Sequence, residues 1–203
     1  TATKAEYQAA LQAVTYSSTS DNPTATSASR IKRFYTGDIS YAQAALDAGA
    51  AFHFELLEKP YAYMHETVQN VYTAIHELPM LAQLFDESEH EFIKVGSVEV
   101  NGIEREAKGM MDLCWEQHGI IADVKTTSAA NIQAFADDMI KHLNHVQAVW
   151  YSMLMGFNPA NFYYIGIPPK VKKTGKFTDL YLYRHNAAEI ENAQQLISKY
   201  FEQ

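Results

Sequence analysis

Apolar and polar positions change rhythm once along this chain. Up to about residue 85 the apolar residues recur at helical spacing; from Glu89 they alternate or run together as strands do. In the first part, Thr3 followed by Glu6 is a capping-box spacing that opens a helix to about residue 14. Residues 15–28, YSSTSDNPTATSAS, read as a loop around Asn22-Pro23, and Ser29 opens a short basic helix over 30–35. Ser40 with Gln43 caps a long helix to about residue 58. Its stripe Ala44, Ala48, Ala51, Phe52, Leu56 keeps one face, and Pro60 ends it. A further helix is predicted over about 62–77, ahead of Pro79.

The second part opens with a strand at Glu89. Asn101-Gly102 between alternating residues is a two-residue hairpin signal. A strand counted third is predicted over about 104–115 and a fourth over 120–125. The polar break Glu116-Gln117-His118-Gly119 turns one back against the other as antiparallel neighbours. Residues 129–156 read as helix, interrupted near Leu143-Asn144. The apolar run 162–167 is a strand stopped by Pro168-Pro169, 178–184 alternates as another, and Asn186 with Glu189 caps a last helix to about 202. The expectation is one α/β domain over 1–203. It has a helical part to about residue 85, then a mixed central β-sheet flanked by α-helices over about 86–203.

Composition narrows the function classes. The 203 residues suffice for one domain with a real core. A net charge of −8 argues against coating nucleic acid through bulk charge, yet leaves room for a local basic channel on an acidic body. Two basic clusters exist, Arg30, Lys32, Arg33 and Lys170, Lys172, Lys173, Lys176; each taken alone reads as a solvated face. The single cysteine, Cys114, excludes an internal disulfide and a multi-cysteine metal or iron–sulfur site. No apolar run approaches the ~20 residues that span a bilayer, and the start lacks a signal-peptide pattern. A cytoplasmic protein without a membrane partner is expected.

The chemistry concentrates in residues 109–127, GMMDLCWEQHGIIADVKTT. The hairpin brings Asp112 and Asp123 side by side. Asp123 and Lys125 are two residues apart on a strand and share a face, while Ile120, Ala122 and Val124 take the other. Two acids and a lysine at the end of an apolar strand suit a divalent cation beside a water and a charged substrate. Further candidates are His53 within GAAFHFELLEKP, where a core histidine is the commoner reading, and Glu89 or Glu91 within SEHEF. Lys108-Gly109 precedes the Asp112 strand. Gln147 and Tyr151 in HVQAVWY, at i and i+4, share a helix face.

In that order, SASRIKRF (27–34), GAAFHFELLEKP, SEHEF, KGMMDL, IADVKTT and HVQAVWY resemble the RecE-like branch of the PD-(D/E)XK nuclease superfamily, the relatives of exonuclease VIII and lambda exonuclease. The acid of the x-Lys motif is Asp123 rather than the commoner Glu. The resemblance implies a restriction-endonuclease-like core and a catalytic set of Asp112, Asp123, Lys125, Gln147 and Tyr151. It implies Mg²⁺, replaceable by Mn²⁺, held by Asp112, Asp123 and the Val124 carbonyl, with His53 and Glu89 serving a second ion and Glu91 the alternative to Glu89. Ser29, Arg30 and Arg33, with Lys32, would hold DNA. The implied activity is metal-dependent, ATP-independent digestion of double-stranded DNA from its ends, 5′→3′, in recombination. A ring-type homo-oligomer and a single-strand annealing partner are implied too. An endonuclease or single-strand nuclease of the same fold, or an inactive DNA-binding module, are the alternatives.

Overall fold

The alanine-rich stretch Ser40–Glu58 forms helix α1. The structure, a computed structural model, describes residues 40–201, with side chains from residue 49 onward. The chain divides into two compact units, Thr1–Asp47 and Ala48–Gln203; the sheet, α1 from Ala48 onward and the later helices belong to the second. The elements expected over 3–35 lie outside the described residues.

The next helix, α2 (Glu66–His76), starts later than its apolar pattern suggests. Tyr61–Tyr63 is a separate 3-10 turn, and His65 is extended and caps α2 by accepting the Thr67 N–H at 3.3 Å. A third helix, α3 (Pro79–Glu87), is missing from the sequence expectation. Pro79 reads there as a stop, but it stands in the first turn of α3, where its fixed φ suits the helix and its lacking N–H costs nothing.

Strands β1 (Glu89–Val100) and β2 (Ile103–Trp115) are long and joined by Asn101 and Gly102 alone, with φ of 54° and 74°. Both angles are left-handed, as a hairpin turn matching strand twist requires. β1 is unbroken, so the strand counted third is the second and the fourth is β3 (Ile120–Thr126). The turn between them is a 3-10 turn over Glu116–His118 closed by left-handed Gly119. The expected helical stretch after β3 splits into α4 (Ile132–Lys141) and α5 (Asn144–Met155), with Leu143 left-handed at the break. Strand β4 (Phe162–Ile167) follows, then a short α6 (Val171–Thr174). Only Tyr181–Tyr183 of the alternating 178–184 segment pairs, as β5, because Phe177–Asp179 turns as a 3-10 helix. The last helix, α7 (Ala187–Tyr200), carries the expected capping box of Asn186 and Glu189.

The sheet order is β1-β2-β3-β4-β5, antiparallel except for the parallel pair β3–β4. The protein is thus α/β, a five-stranded mixed sheet flanked by helices, consistent with a nuclease-like core. Each face carries its own core. Leu113, Trp115, Ala122, Val124, Ile165 and Ile167 pack with apolar residues of α1, α2 and α3. Met111, Cys114, Ile121, Phe162 and Tyr164 pack with those of α4, α5 and α7. His90 ties β1 to the first layer through contacts to Leu57 O at 2.6 Å and Phe85 O at 2.8 Å. Among the described residues no helix is long and apolar enough to cross a membrane.

Candidate active site

The register of β2 against β3 runs Trp115↔Ile120, Cys114↔Ile121, Leu113↔Ala122. One step further places Asp112 across from Asp123. There the side chain replaces the ladder: the Val124 N–H donates to Asp112 Oδ2 at 2.7 Å. Lys125, on the Asp123 face, sets its Nζ 2.6 Å from Asp123 Oδ2. Asp123 Oδ2 is buried, and the Lys125 ammonium is its partner there. His53, from α1, brings Nδ1 within 3.6 Å of Asp112 Oδ2. The hairpin and the x-Lys spacing therefore converge with the helical histidine.

The electrostatics follow from burial and crowding. Burial, then the neighbouring Asp123 charge, push the Asp112 carboxyl up to about 8, against the partial relief of the Val124 N–H and Lys125. For Lys125 burial works downward, but the charge and contact of Asp123, with Asp112 behind it, outweigh it and hold the ammonium above its ordinary range. Burial lowers His53, with the positive charges of Lys125 and Lys172 working the same way and the acids Asp123 and Glu91 working against it. Tyr164, paired with Asp123 across β3–β4, is raised by burial and by the Asp123 charge. Tyr164 is part of this surround that its sequence context does not announce.

Residues two apart on a strand share a face, yet Met111 belongs to one core and Leu113 to the other. On β1, Phe92 packs with Met111's core while His90 bonds to α1 and α3. Both strands slip at the same level, between His90↔Leu113 and Phe92↔Met111, which is where Glu91 and Asp112 stand. Glu91 has φ 47°, a left-handed angle uncommon for a residue with a side chain. The slip separates the two candidate acids. Glu91 is half-buried and its charge acts on both His53 and Asp112. Glu89 is exposed, pairs with Cys114, and acts on that thiol.

Gln147 and Tyr151 lie on α5, over the second face. Gln147 Oε1 is buried and accepts no hydrogen bond. Tyr151 crosses β2 at Gly109, where an added Cβ would fall 2.9 Å from Tyr151 Cε1. Lys108-Gly109 thus has a reason in packing: only a bare backbone admits this ring. Ser29, Arg30, Lys32 and Arg33 lie outside the described residues.

No group of three or more His, Cys, Asp and Glu side chains is gathered closely enough to hold a metal ion among the described residues. Lys125 sits against Asp123 and His53 leans toward Asp112, so the acids already have partners. Asp112 and Asp123 are oxygen donors of the kind a hard cation takes, and the Asp123 charge destabilises Asp112 as an anion.

No protein-family model matches the sequence, and no curated protein matches it. The crystal structure of SSO0001 is similar over 61% of this chain and 55% of that one, with 18% identity and a TM-score of 0.35. The chain thus spans about half the length of that protein, and so slight a likeness carries no weight for function.

Proposed function

We propose that this chain is a Mg²⁺-dependent, ATP-independent deoxyribonuclease that digests double-stranded DNA from its ends, 5′→3′. The observation that carries the reading is the convergence of His53, Asp112, Asp123 and Lys125 from α1, β2 and β3. Asp112, Asp123 and the Val124 carbonyl would hold one cation, with His53 and Glu91 (Glu89 in the sequence expectation) serving a second. A divalent ion held there would supply a Lewis acid for the phosphoryl oxygens and for water. The chain's own groups do the rest. The Val124 N–H fixes the rotamer of Asp112. Lys125, held cationic, stabilises negative charge that develops on the phosphate rather than acting as a free base. Gln147 and Tyr151 position the substrate or Lys125.

The reading brings with it a cytoplasmic setting, a role in recombination, a ring-type homo-oligomer and a single-strand annealing partner. Incubation with Mg²⁺ of linear and covalently closed circular duplexes tests the activity. Loss of the linear DNA alone supports an exonuclease, and cutting of the circle points to an endonuclease of the same fold. Survival of both substrates with Mg²⁺ and with Mn²⁺ removes the proposal.

A further inference from the structure

The lysine cluster at 170–176 reads in sequence as one solvated face, but the fold separates its members. Lys170 Nζ lies 2.6 Å from Asp179 Oδ1, and Asp179 Oδ2 also accepts from Thr174 Oγ1 at 2.6 Å. That lysine is neutralised. Lys172 is placed differently. Its Nζ lies 4.4 Å from the centroid of the Phe52 ring, and Phe52 immediately precedes His53. Its positive charge reaches His53. No carboxylate pairs with it among the described residues; its charge is held over an aromatic face instead.

Lys172 is also held in place. Its backbone carbonyl accepts from Asn70 Nδ2 of α2 at 3.0 Å, and Gly175, left-handed at φ +65°, closes α6 against the Asn70 backbone. A partly buried, fixed cation with no acidic partner is costly, and burial lowers its pKa accordingly. The acids Asp123 and Glu91, whose charges act on His53 as that of Lys172 does, repel an anionic substrate. A cation fixed there attracts the phosphate that those carboxylates push away.

We propose that Lys172 is a substrate-binding residue: its ammonium receives a phosphate of the DNA backbone adjoining the phosphodiester that enters the Asp112–Asp123–Lys125 cluster. The proposal rests on the nuclease reading and adds to it where the backbone runs.

The test uses the full chain carrying Lys172→Met, which keeps the apolar stem against Phe52, together with Lys172→Arg and, as a control, Lys170→Gln. Duplex affinity is titrated against salt without divalent metal, and KM and kcat are measured with Mg²⁺. Lys172→Met is expected to raise KM about tenfold with kcat within about twofold, and to reduce the slope of log affinity against log salt by about 0.9. Lys172→Arg restores both, and Lys170→Gln matches the parent. An unchanged KM and salt slope in Lys172→Met overturns the proposal. A parent that digests no DNA defeats the nuclease reading instead. The salt titration then still decides Lys172: a reduced slope upholds the phosphate contact and an equal slope removes it.

Discussion

Glu91 stands across the β1–β2 ladder from Asp112, at the one level where both strands lose the alternation of their side chains. The slip sends Leu113 and Trp115 toward α1–α3 while Ala107 and Met111 stay with the helices of the other face. Asp112 sits at the changeover, within reach of His53 on one layer and of the β3 residues Asp123 and Lys125. Glu91 carries the conformational cost of that arrangement in its left-handed backbone.

Glu91 therefore yields two expectations. Glu91→Gly should be more stable than Glu91→Ala by about 1 kcal/mol, because only glycine takes a left-handed angle freely. Urea unfolding of the pair measures it, and equal midpoints would show that the angle costs nothing. In digestion assays Glu91→Ala should lose activity by tenfold or more and Glu89→Ala should stay within about twofold. The reverse order would return Glu89 to the second cation.

Asp112 makes the protein's stability depend on pH. Its folded pKa, about 8, lies above its ordinary value of 3.8, so the folded state binds the extra proton between them. The contribution is complete below about pH 4 and is lost as pH rises through about 8. In the absence of divalent metal the parent should lose stability relative to Asp112→Asn over that range, and Asp112→Asn should melt higher than the parent at pH 8; the lowered His53 and His185 act in the opposite direction in both proteins. Calorimetry of the two proteins at pH 5 and pH 8 checks the sign. A parent that gains stability over this range relative to Asp112→Asn would contradict it.

Gly109 and Tyr151 form a packing pair. Gly109→Ala should destabilise by about 1–3 kcal/mol, since the new methyl lands on the Tyr151 ring. Activity should drop with it as the ring moves from its place near Lys125. Adding Tyr151→Ala removes the clash, so the double variant should be more stable than the sum of the two single losses. Strict additivity would mean that the ring does not hold the site through Gly109.

Much of this was legible from local signals. The Asn101-Gly102 turn, the Leu143 break and the Asn186–Glu189 capping box are short-range devices, and each is found where its residues stand. That Asp112 and Asp123 come to the same level of β2 and β3 follows from the turn, and that Asp123 and Lys125 share a face follows from a period of two. What escaped the sequence depends on tertiary context. Pro79 ends one segment and equally starts a helix, and only packing of Leu81, Leu84 and Phe85 decides for α3. The choice of Glu91 over Glu89 turns on a slip in alternation that no strand pattern encodes. Lys172 differs from Lys170 only through Phe52 and Asp179, which the sequence does not tie to either lysine.

The central claim is that the carboxylates and Lys125 form a hydrolytic site, and the most direct measurement compares the parent with Lys125→Ala on a linear duplex with Mg²⁺. Lys125→Ala should retain its fold and lose at least about 10²-fold in rate, the scale for removing one preorganised stabiliser of developing charge. Equal rates for the two proteins would contradict the account.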